Sequence, residues 1–240
     1  TGYAEAITFT TSPRGRWGGP VDDIGHYTAI QIKNNVINTG GPYARGVGIY
    51  DRSQGSGYGT ITGAVITGNQ IIGEHLLDDE TYGVTLRGDV QGSVITGNTI
   101  NNVNIGAWIR PGEDAGGTCP AASNDISYNQ ISSVTTNVKN DCTSGRVDAS
   151  PNWWGKTDGP ASSSIVGDVG YLPYCTNSEC TEFSKASLYM TPDSIEPTGP
   201  CVGSFTVQVY AKDVIMLTSY DLELSFNPAL VKVTAVVNGG

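Results

Sequence analysis

Hydrophobic and polar positions along this chain return to one motif about every thirty residues, a period typical of solenoid proteins. The motif is I-x-x-N-x-I, in which an isoleucine stands on either side of a central asparagine. It occurs four times, at residues 32–37, 66–71, 95–100 and 126–131. Strands of β-hairpins would recur at about 8–12 residues instead. The period therefore predicts an all-β fold, a right-handed parallel β-helix with one hexapeptide per coil.

The asparagine of each hexapeptide predicts a ladder along the axis of this β-helix. The isoleucines face the core, and Gly or Asn in the centre accepts the left-handed backbone angles of a sharp corner. Stacked coils place equivalent residues about 4.8 Å apart, so that each buried amide can bond to the next one. The predicted ladder consists of Asn35, Asn69, Asn98 and Asn129.

A second strand follows each corner, at residues 47–51, 84–87, 107–110 and 136–139, and residues 4–9 resemble the same strand of an earlier coil. Period-two alternation assigns one set of residues to the interior: Val47, Ile49, Val84, Leu86, Ala107, Ile109 and Val138. The outward residues then form two registers. The first is Tyr50, Arg87, Arg110 and Lys139, and the second is Gly48, Thr85, Trp108 and Asn137.

The segment 147–155, which contains N-W-W-G, and the Asp158-Gly159-Pro160 that follows resemble the terminal element of bacterial right-handed β-helix proteins. These proteins belong to the pectin-lyase-like superfamily and include members linked to nitrous oxide reductase maturation. Residues 170–174 are similar to the Y-x-P-W-L run that often follows. The resemblance implies a β-helix over residues 1–175. We expect Trp153 and Trp154 to cap and cover its last coil, with stacking on a ligand as the alternative.

A second resemblance lies near the C-terminus. Residues 203–211 alternate as a strand, and residues 218–233 are similar to the Y-x-L-x-F-x-P-x-x-L-x-V strands of cohesin-like β-sandwich domains. It implies that residues 203–240 are the first antiparallel strands of an incomplete sandwich, after a linker with cysteines and prolines at 176–202. We therefore expect a longer, multimodular parent protein, whose other modules are partners of the β-helix.

Charge and cysteine content indicate where such a protein works. The net charge is −10, from 23 acidic and 13 basic residues, which disfavours nucleic-acid binding. No run of apolar residues is long enough to span a membrane. Five cysteines favour disulfides and an extracellular or cell-surface location. Cys119 and Cys142 are about one coil apart and are predicted to pair, while Cys175, Cys180 and Cys201 leave one pair and an odd thiol.

The two outward registers form a candidate glycan-binding groove. Cations in line suit carboxylates, and flat aromatic rings suit sugar rings. The predicted carbohydrate-binding residues are Tyr50, Arg87, Trp108, Arg110 and Lys139. Acidic residues follow the same strands in the next bend, as counterions or as Ca²⁺ ligands: Asp51, Asp89, Glu113, Asp114 and Asp141. An ordinary ladder of surface ion pairs is the alternative interpretation of this patch.

The predicted function is a secreted or cell-surface protein whose β-helix binds polysaccharide or acts as a structural or adhesive scaffold. The alternative is a Ca²⁺-dependent lyase or glycosidase of acidic glycans, with Arg87, Arg110 and Lys139 as candidate catalytic residues. The Asp-His strand signature of pectate lyases is absent, as are the polygalacturonase signatures, so the sequence favours binding. Copper is not expected in a chain with two histidines and two methionines. Unpaired strands at both ends predict end-to-end association.

Overall fold

The computed structural model describes residues 4–11, 26–40, 44–51, 60–74, 81–112, 119, 123–185, 187–191, 206–212 and 233–236. These residues form β-structure with a short 3-10 helix at Ser162–Ser164. The strands in chain order are β1 Ala4–Thr11, β2 Tyr27–Thr28, β3 Gln31–Lys33, β4 Val36–Thr39, β5 Ala44–Asp51, β6 Ile61–Thr62, β7 Val65–Thr67, β8 Gln70–Gly73, β9 Tyr82–Arg87, β10 Val90–Gln91, β11 Val94–Thr96, β12 Thr99–Asn101, β13 Ile105–Arg110, β14 Asp125–Ser127, β15 Gln130–Ser132, β16 Thr136–Asn140, β17 Val147–Asp148, β18 Ile165–Val166, β19 Val169–Gly170, β20 Ser187–Thr191 and β21 Gln208–Lys212.

Strands β1 to β19 pair in parallel and form four sheets. Sheet A has the order β1-β5-β9-β13-β16-β18, and sheet B has β10-β6-β2. Sheet C has the order β19-β17-β14-β11-β7-β3, and sheet D has β15-β12-β8-β4. From β2 to β13 the chain visits B, C, D and A in turn and then begins the next round. The predicted all-β fold with parallel sheets is confirmed, and its strand order is consistent with a β-helix.

The asparagine ladder is confirmed in full. Each amide nitrogen donates to the amide oxygen of the next coil, from Asn35 to Asn69 at 2.9 Å, Asn69 to Asn98 at 2.9 Å and Asn98 to Asn129 at 2.9 Å. The backbone N–H of each of these asparagines donates to the same oxygen. The amide nitrogens of Asn69, Asn98 and Asn129 also donate to isoleucine carbonyls of the preceding coil, such as Asn98 to Ile66 at 2.8 Å. The buried amides are therefore satisfied by one another and by the backbone.

Asn152 extends this ladder by one coil, which the I-x-x-N-x-I template missed. Its side-chain oxygen accepts the amide of Asn129 at 3.0 Å, and its nitrogen donates to Ile126 O at 2.7 Å. The N-W-W-G segment is thus a further hexapeptide in which Ala149 and Trp154 replace the isoleucines, and both are buried. Trp153 faces outward and is half-buried, and its backbone forms an isolated parallel β-bridge with Gln130 of β15.

Isoleucines of the hexapeptides form continuous columns in the core. Ile32, Ile66, Ile95 and Ile126 pair in succession across sheet C, and Ile37, Ile71, Ile100 and Ile131 across sheet D. The interior residues predicted for sheet A are all buried, with exposures of 3% or less: Val47, Ile49, Val84, Leu86, Ala107, Ile109 and Val138. Each column thus continues the apolar core from coil to coil.

A glycine column at the start of the sheet A strands was not predicted. Gly46, Gly83 and Gly106 lie where the chain turns from sheet D into sheet A, against the isoleucine column. A methyl group on Gly83 would contact Ile100 Cγ2 and approach Gly106 O at 2.7 Å. The sequence signal was present, because each glycine stands directly before the first predicted interior residue of its strand, Val47, Val84 or Ala107. Only glycine lets the backbone approach the core so closely there.

Cys119 and Cys142 form the predicted pair, with Cα atoms 5.6 Å apart. Cys175 and Cys180 form a second pair at disulfide distance, with Cα atoms 4.9 Å apart. Cys201 lies outside the described residues. Within the described part of the chain, no helix has the length and apolar character of a membrane span.

Strands β20 and β21 pair antiparallel, with Tyr189 opposite Tyr210. Strand β20 lies inside the segment 176–202 that was predicted to be a linker, so antiparallel structure begins before residue 203. Strand β21 falls on the alternating run predicted from 203. Of the cohesin-like motif at 218–233, only Val233 belongs to the described residues.

We expect Asn98→Leu to lower the free energy of unfolding by about 2–4 kcal/mol, because it removes the buried oxygen that accepts the amide and the backbone N–H of Asn69, together with the amide that donates to Asn129. Asn35→Leu, at the half-buried end of the ladder, is the matched control and should cost less. Guanidinium denaturation of both variants provides the test. Equal losses of stability in the two variants would show that the burial of a ladder asparagine does not determine how much it stabilises the fold.

Gly83→Ala is expected to destabilise the fold by about 1–3 kcal/mol through overpacking against Ile100 and the backbone of Gly106. The matched control is Gly40→Ala, whose methyl group would have the Glu74 carboxylate as its nearest described neighbour, at 3.4 Å. Thermal denaturation followed by circular dichroism measures both. An unchanged midpoint for Gly83→Ala would contradict the role assigned to the glycine column.

Candidate functional site

The candidate site is the outer face of sheet A, where strands β5, β9, β13 and β16 lie side by side. Tyr50 pairs with Arg87, and Arg87 pairs with Arg110, as predicted. Lys139, however, pairs with Trp108 and not with Arg110. The predicted register was therefore wrong by two residues in the fourth coil, although the cations share one face.

The reason for this shift lies in the distance from the corner to the strand. Strand β13 starts at Ile105 and β16 at Thr136, and these two residues pair. Both follow the last isoleucine of their hexapeptide, Ile100 or Ile131, at the same spacing. Alignment by hydrophobic pattern alone matched Val138 with Ile109, whereas the structure pairs Val138 with Ala107.

Trp108 is the centre of the site. Its side chain is only 6% exposed. The guanidinium carbon of Arg110 lies 3.9 Å from the ring centroid, and Lys139 Nζ lies 4.6 Å from it. The indole N–H donates to Asp141 Oδ2 at 2.7 Å, and the same oxygen forms an ion pair with Lys139 at 3.1 Å. Two cations and one carboxylate are thus fixed around a single indole ring.

Tyr50 and Trp108 do not have the exposed rings predicted for sugar stacking. Tyr50 is 3% exposed, and its hydroxyl is hydrogen-bonded to that of Tyr82. The Tyr82 ring meets the Trp108 ring edge to face, with centroids 6.3 Å apart, and Arg45 lies over Tyr82 at 5.4 Å. Large outward side chains on strands about 4.8 Å apart pack on one another. Tyr50, Tyr82 and Trp108 are therefore called the buried aromatic cluster below.

The sequence patterns did not identify Tyr82 and Arg45, because both lie before the predicted strands at residues 84–87 and 47–51 that defined the two outward registers. They belong to the column that stands directly before the glycine column, with Ile105 and Thr136. Position relative to those glycines is the signal that would have identified them.

The three cations remain accessible in part. Arg87, Arg110 and Lys139 are all half-buried, and the side chain of Lys139 is 30% exposed. Arg87 Nε donates to Pro111 O at 3.2 Å, which ties its side chain to the bend after β13. The three side chains are therefore held by neighbouring groups and remain partly exposed.

The described carboxylates of the predicted Ca²⁺ set each have local partners. Asp51 is 2% exposed and accepts the backbone N–H of Asp89 at 3.1 Å. Asp89 accepts the Gln91 amide at 2.5 Å, and Asp141 is bound to Trp108 and Lys139. Within the described residues, no three side chains of His, Cys, Asp or Glu converge as metal ligands. Asp51, Asp89 and Asp141 therefore do not form the predicted metal site by themselves, and Glu113 and Asp114 lie outside the described residues.

One carboxylate away from this face has a shifted pKa. Burial on sheet C raises the pKa of Asp125 above its usual 3.8, and the neighbouring Asp148 raises it further. A hydrogen bond from Ser127 at 3.1 Å opposes the shift in part. The charged form of Asp125 is thus less favourable in the folded chain than in the unfolded one.

We expect Asp125→Asn to stabilise the protein at about pH 7 and to give no such gain at about pH 3. The folded state holds the Asp125 proton more tightly, so the stability of the wild type is greatest below the unfolded pKa and falls as pH rises through the raised folded pKa. An asparagine cannot ionise and escapes this loss. Melting temperatures across the pH range measure the effect, and a gain of equal size at both pH values would contradict it.

Comparisons with protein-family models, with curated proteins and with solved structures found no match to this chain. The likenesses to pectin-lyase-like β-helices and to cohesin-like domains therefore rest on the motifs themselves.

Proposed function

We propose that this chain is an extracellular β-helical module that binds an acidic polysaccharide on the outer face of sheet A. The observation that supports it best is the arrangement of Arg110 and Lys139 around the Trp108 ring, at 3.9 and 4.6 Å. Arg87 adds a third cation on the adjacent strand. The expected ligand groups are the carboxylates or sulfates of a glycan, which suit guanidinium and ammonium donors.

Charge makes this face unusual for the chain. Acidic residues outnumber basic ones by 23 to 13, yet three cations lie on neighbouring strands of one sheet. Neighbouring strands are about 4.8 Å apart, so a chain of sugars lying along the axis presents an acid group to Arg87 and Arg110 in succession. Asp141 forms an ion pair with Lys139 and offsets part of its positive charge. The two arginines are therefore expected to contribute most of the attraction.

In this proposal the buried aromatic cluster orients the cations and does not stack on sugars. Contact with the ring face of Trp108 favours a cation electrostatically and limits the motion of the Arg110 guanidinium. A side chain that is already ordered loses less entropy when it binds. Recognition then depends on charge and spacing, which predicts selectivity for acidic over neutral glycans at this face.

The right-handed coil, the extracellular location and the multimodular parent belong to the same proposal. Parallel crossovers are right-handed in about 98% of cases, which supports the handedness. Two cysteine pairs at disulfide distance fit an oxidising compartment. The ladder and the core continue from coil to coil, which suits a scaffold that presents a binding face.

Binding is preferred to catalysis because of the carboxylates. A Ca²⁺-assisted lyase needs several oxygen ligands at one point and a base beside the sugar. Among the described residues, the acidic side chains of this face are each held by other partners. Lyase activity is therefore the alternative function, and the experiment on the binding face also measures it.

We expect Arg110→Gln and Lys139→Gln to weaken the binding of an oligogalacturonate hexamer, by about tenfold for Arg110→Gln and by less for Lys139→Gln because Asp141 already pairs with Lys139. Isothermal titration calorimetry of the whole chain measures the affinity, which should fall as salt is added. Lys33→Gln, which removes an exposed cation on sheet C, is the matched control and should bind like the wild type.

Two results would overturn binding at this face: equal affinity of Arg110→Gln and the wild type, or an equal loss in Lys33→Gln. The same mixtures, with Ca²⁺ and without it, are followed by ultraviolet absorbance for unsaturated product. Product that disappears in Arg110→Gln would establish the lyase in place of the binding module.

A further inference from the structure

We infer that the outside of the asparagine corner is a second, separate binding site, and that its ligand is a neutral glycan. The corner is formed by the residue that directly precedes the ladder asparagine in each of the four hexapeptides. They are Asn34, Gly68, Gly97 and Tyr128. All four have left-handed backbone angles, with φ between 56° and 65°, and all four are exposed.

Tyr128 is the residue that calls for an explanation. Its φ is +56°, in a region that bulky side chains disfavour and that glycine occupies without cost at Gly68 and Gly97. Its side chain is 52% exposed, more than the other exposed aromatic residues of the described chain, which reach 42%. Backbone strain costs stability, and a ring that is half exposed buries only part of its apolar surface. A ring kept there at some cost is expected to contact something outside the chain.

Beside this ring the surface is open. A methyl group built on Gly97 would have two described atoms within 4 Å, Thr67 Oγ1 at 3.7 Å and Gly68 N at 3.9 Å. At the far end, the side chain of Asn34 lies over Gly68. The corner is therefore a strip along the axis, with an amide at one end, a glycine floor and an aromatic ring at the other end.

Over the second, third and fourth coils the sides of the strip are polar and uncharged, whereas Lys33 and Val36 flank its first coil. Thr67 and Thr96 pair on the sheet C side, and Gln70, Thr99 and Gln130 pair in succession on the sheet D side. Hydroxyl and amide groups both donate and accept hydrogen bonds, as sugar hydroxyls require. They repeat at about 4.8 Å, close to the rise of an extended polysaccharide.

A glycan fits this strip better than a protein does. One aromatic ring among hydroxyls and amides is a small apolar surface, whereas a stable protein interface needs a buried apolar core and about 800 Å² from each partner. A sugar ring needs a single flat face and nearby hydrogen-bonding groups. The Tyr128 end of the strip offers little to a charged partner, because the residues on either side of the corner there are Ser127, which is bonded to Asp125, and Gln130.

The site is independent of the face of sheet A, so its test uses a different probe. Wild type, Tyr128→Gly and Tyr128→Phe are titrated with cellohexaose, a neutral β-linked glycan, by isothermal titration calorimetry. We expect the glycine variant to bind about tenfold more weakly or not at all, and the phenylalanine variant to bind within about twofold of the wild type. Arg110→Gln, which alters the sheet A face, should bind cellohexaose normally.

Thermal denaturation separates loss of the site from loss of the fold. Tyr128→Gly should melt at or above the temperature of the wild type, because glycine relieves the left-handed strain. A clearly lower melting temperature would mean that the ring is kept for packing, and it would overturn the inference. The inference also fails if the wild type does not bind cellohexaose, or if Tyr128→Gly binds as well as the wild type, whatever the oligogalacturonate experiment gives.

Discussion

The need to satisfy a buried amide governs this structure. An asparagine inside an apolar core is costly unless every donor and acceptor finds a partner. Here the partners are the asparagines of the coils on either side and the isoleucine carbonyls of the coil before. That requirement fixes the register of sheets C and D to a single residue, because a slip of one position would leave the buried amides unpaired. The corner therefore sets the geometry that the remaining sheets follow.

Sheet A is positioned by packing instead of by hydrogen-bonded side chains. The glycine column lets the backbone of the turn lie against the isoleucines of sheet D, with Gly83 beside Ile100 and Gly106 beside Ile131. Inside the sheet, small and medium residues such as Ala107 and Val84 fill the core. Outside it, the large residues pack against one another and leave charged ends at the surface. A face that combines cations with a buried indole is a consequence of this close strand spacing.

Sequence patterns predicted the parts of the fold that local chemistry dictates. The spacing of Asn35, Asn69, Asn98 and Asn129 identified the coils, the ladder and the interior residues, because each depends on a residue type at a fixed place. The same reasoning misplaced Lys139, since alternation alone is equally satisfied by a shift of two residues. It also took Tyr50 and Trp108 as exposed, because alternation gives the direction of a side chain and says nothing of what covers it. Asn152 was missed because Ala149 and Trp154 replace the isoleucines of the template.

Stacked parallel sheets, in which each strand contacts its equivalents above and below, separate the demands of folding from those of binding more completely than most folds do. Inward positions are restricted by the neighbouring coils, and a substitution there affects the ladder or the core. Outward positions contact only the equivalent residues above and below, so one coil can have glycine where the next has tyrosine. The change from Gly97 to Tyr128 at a corner with the same backbone angles is an example. Differences between equivalent outward corner residues therefore indicate where such a chain binds other molecules, because the fold itself does not require these differences.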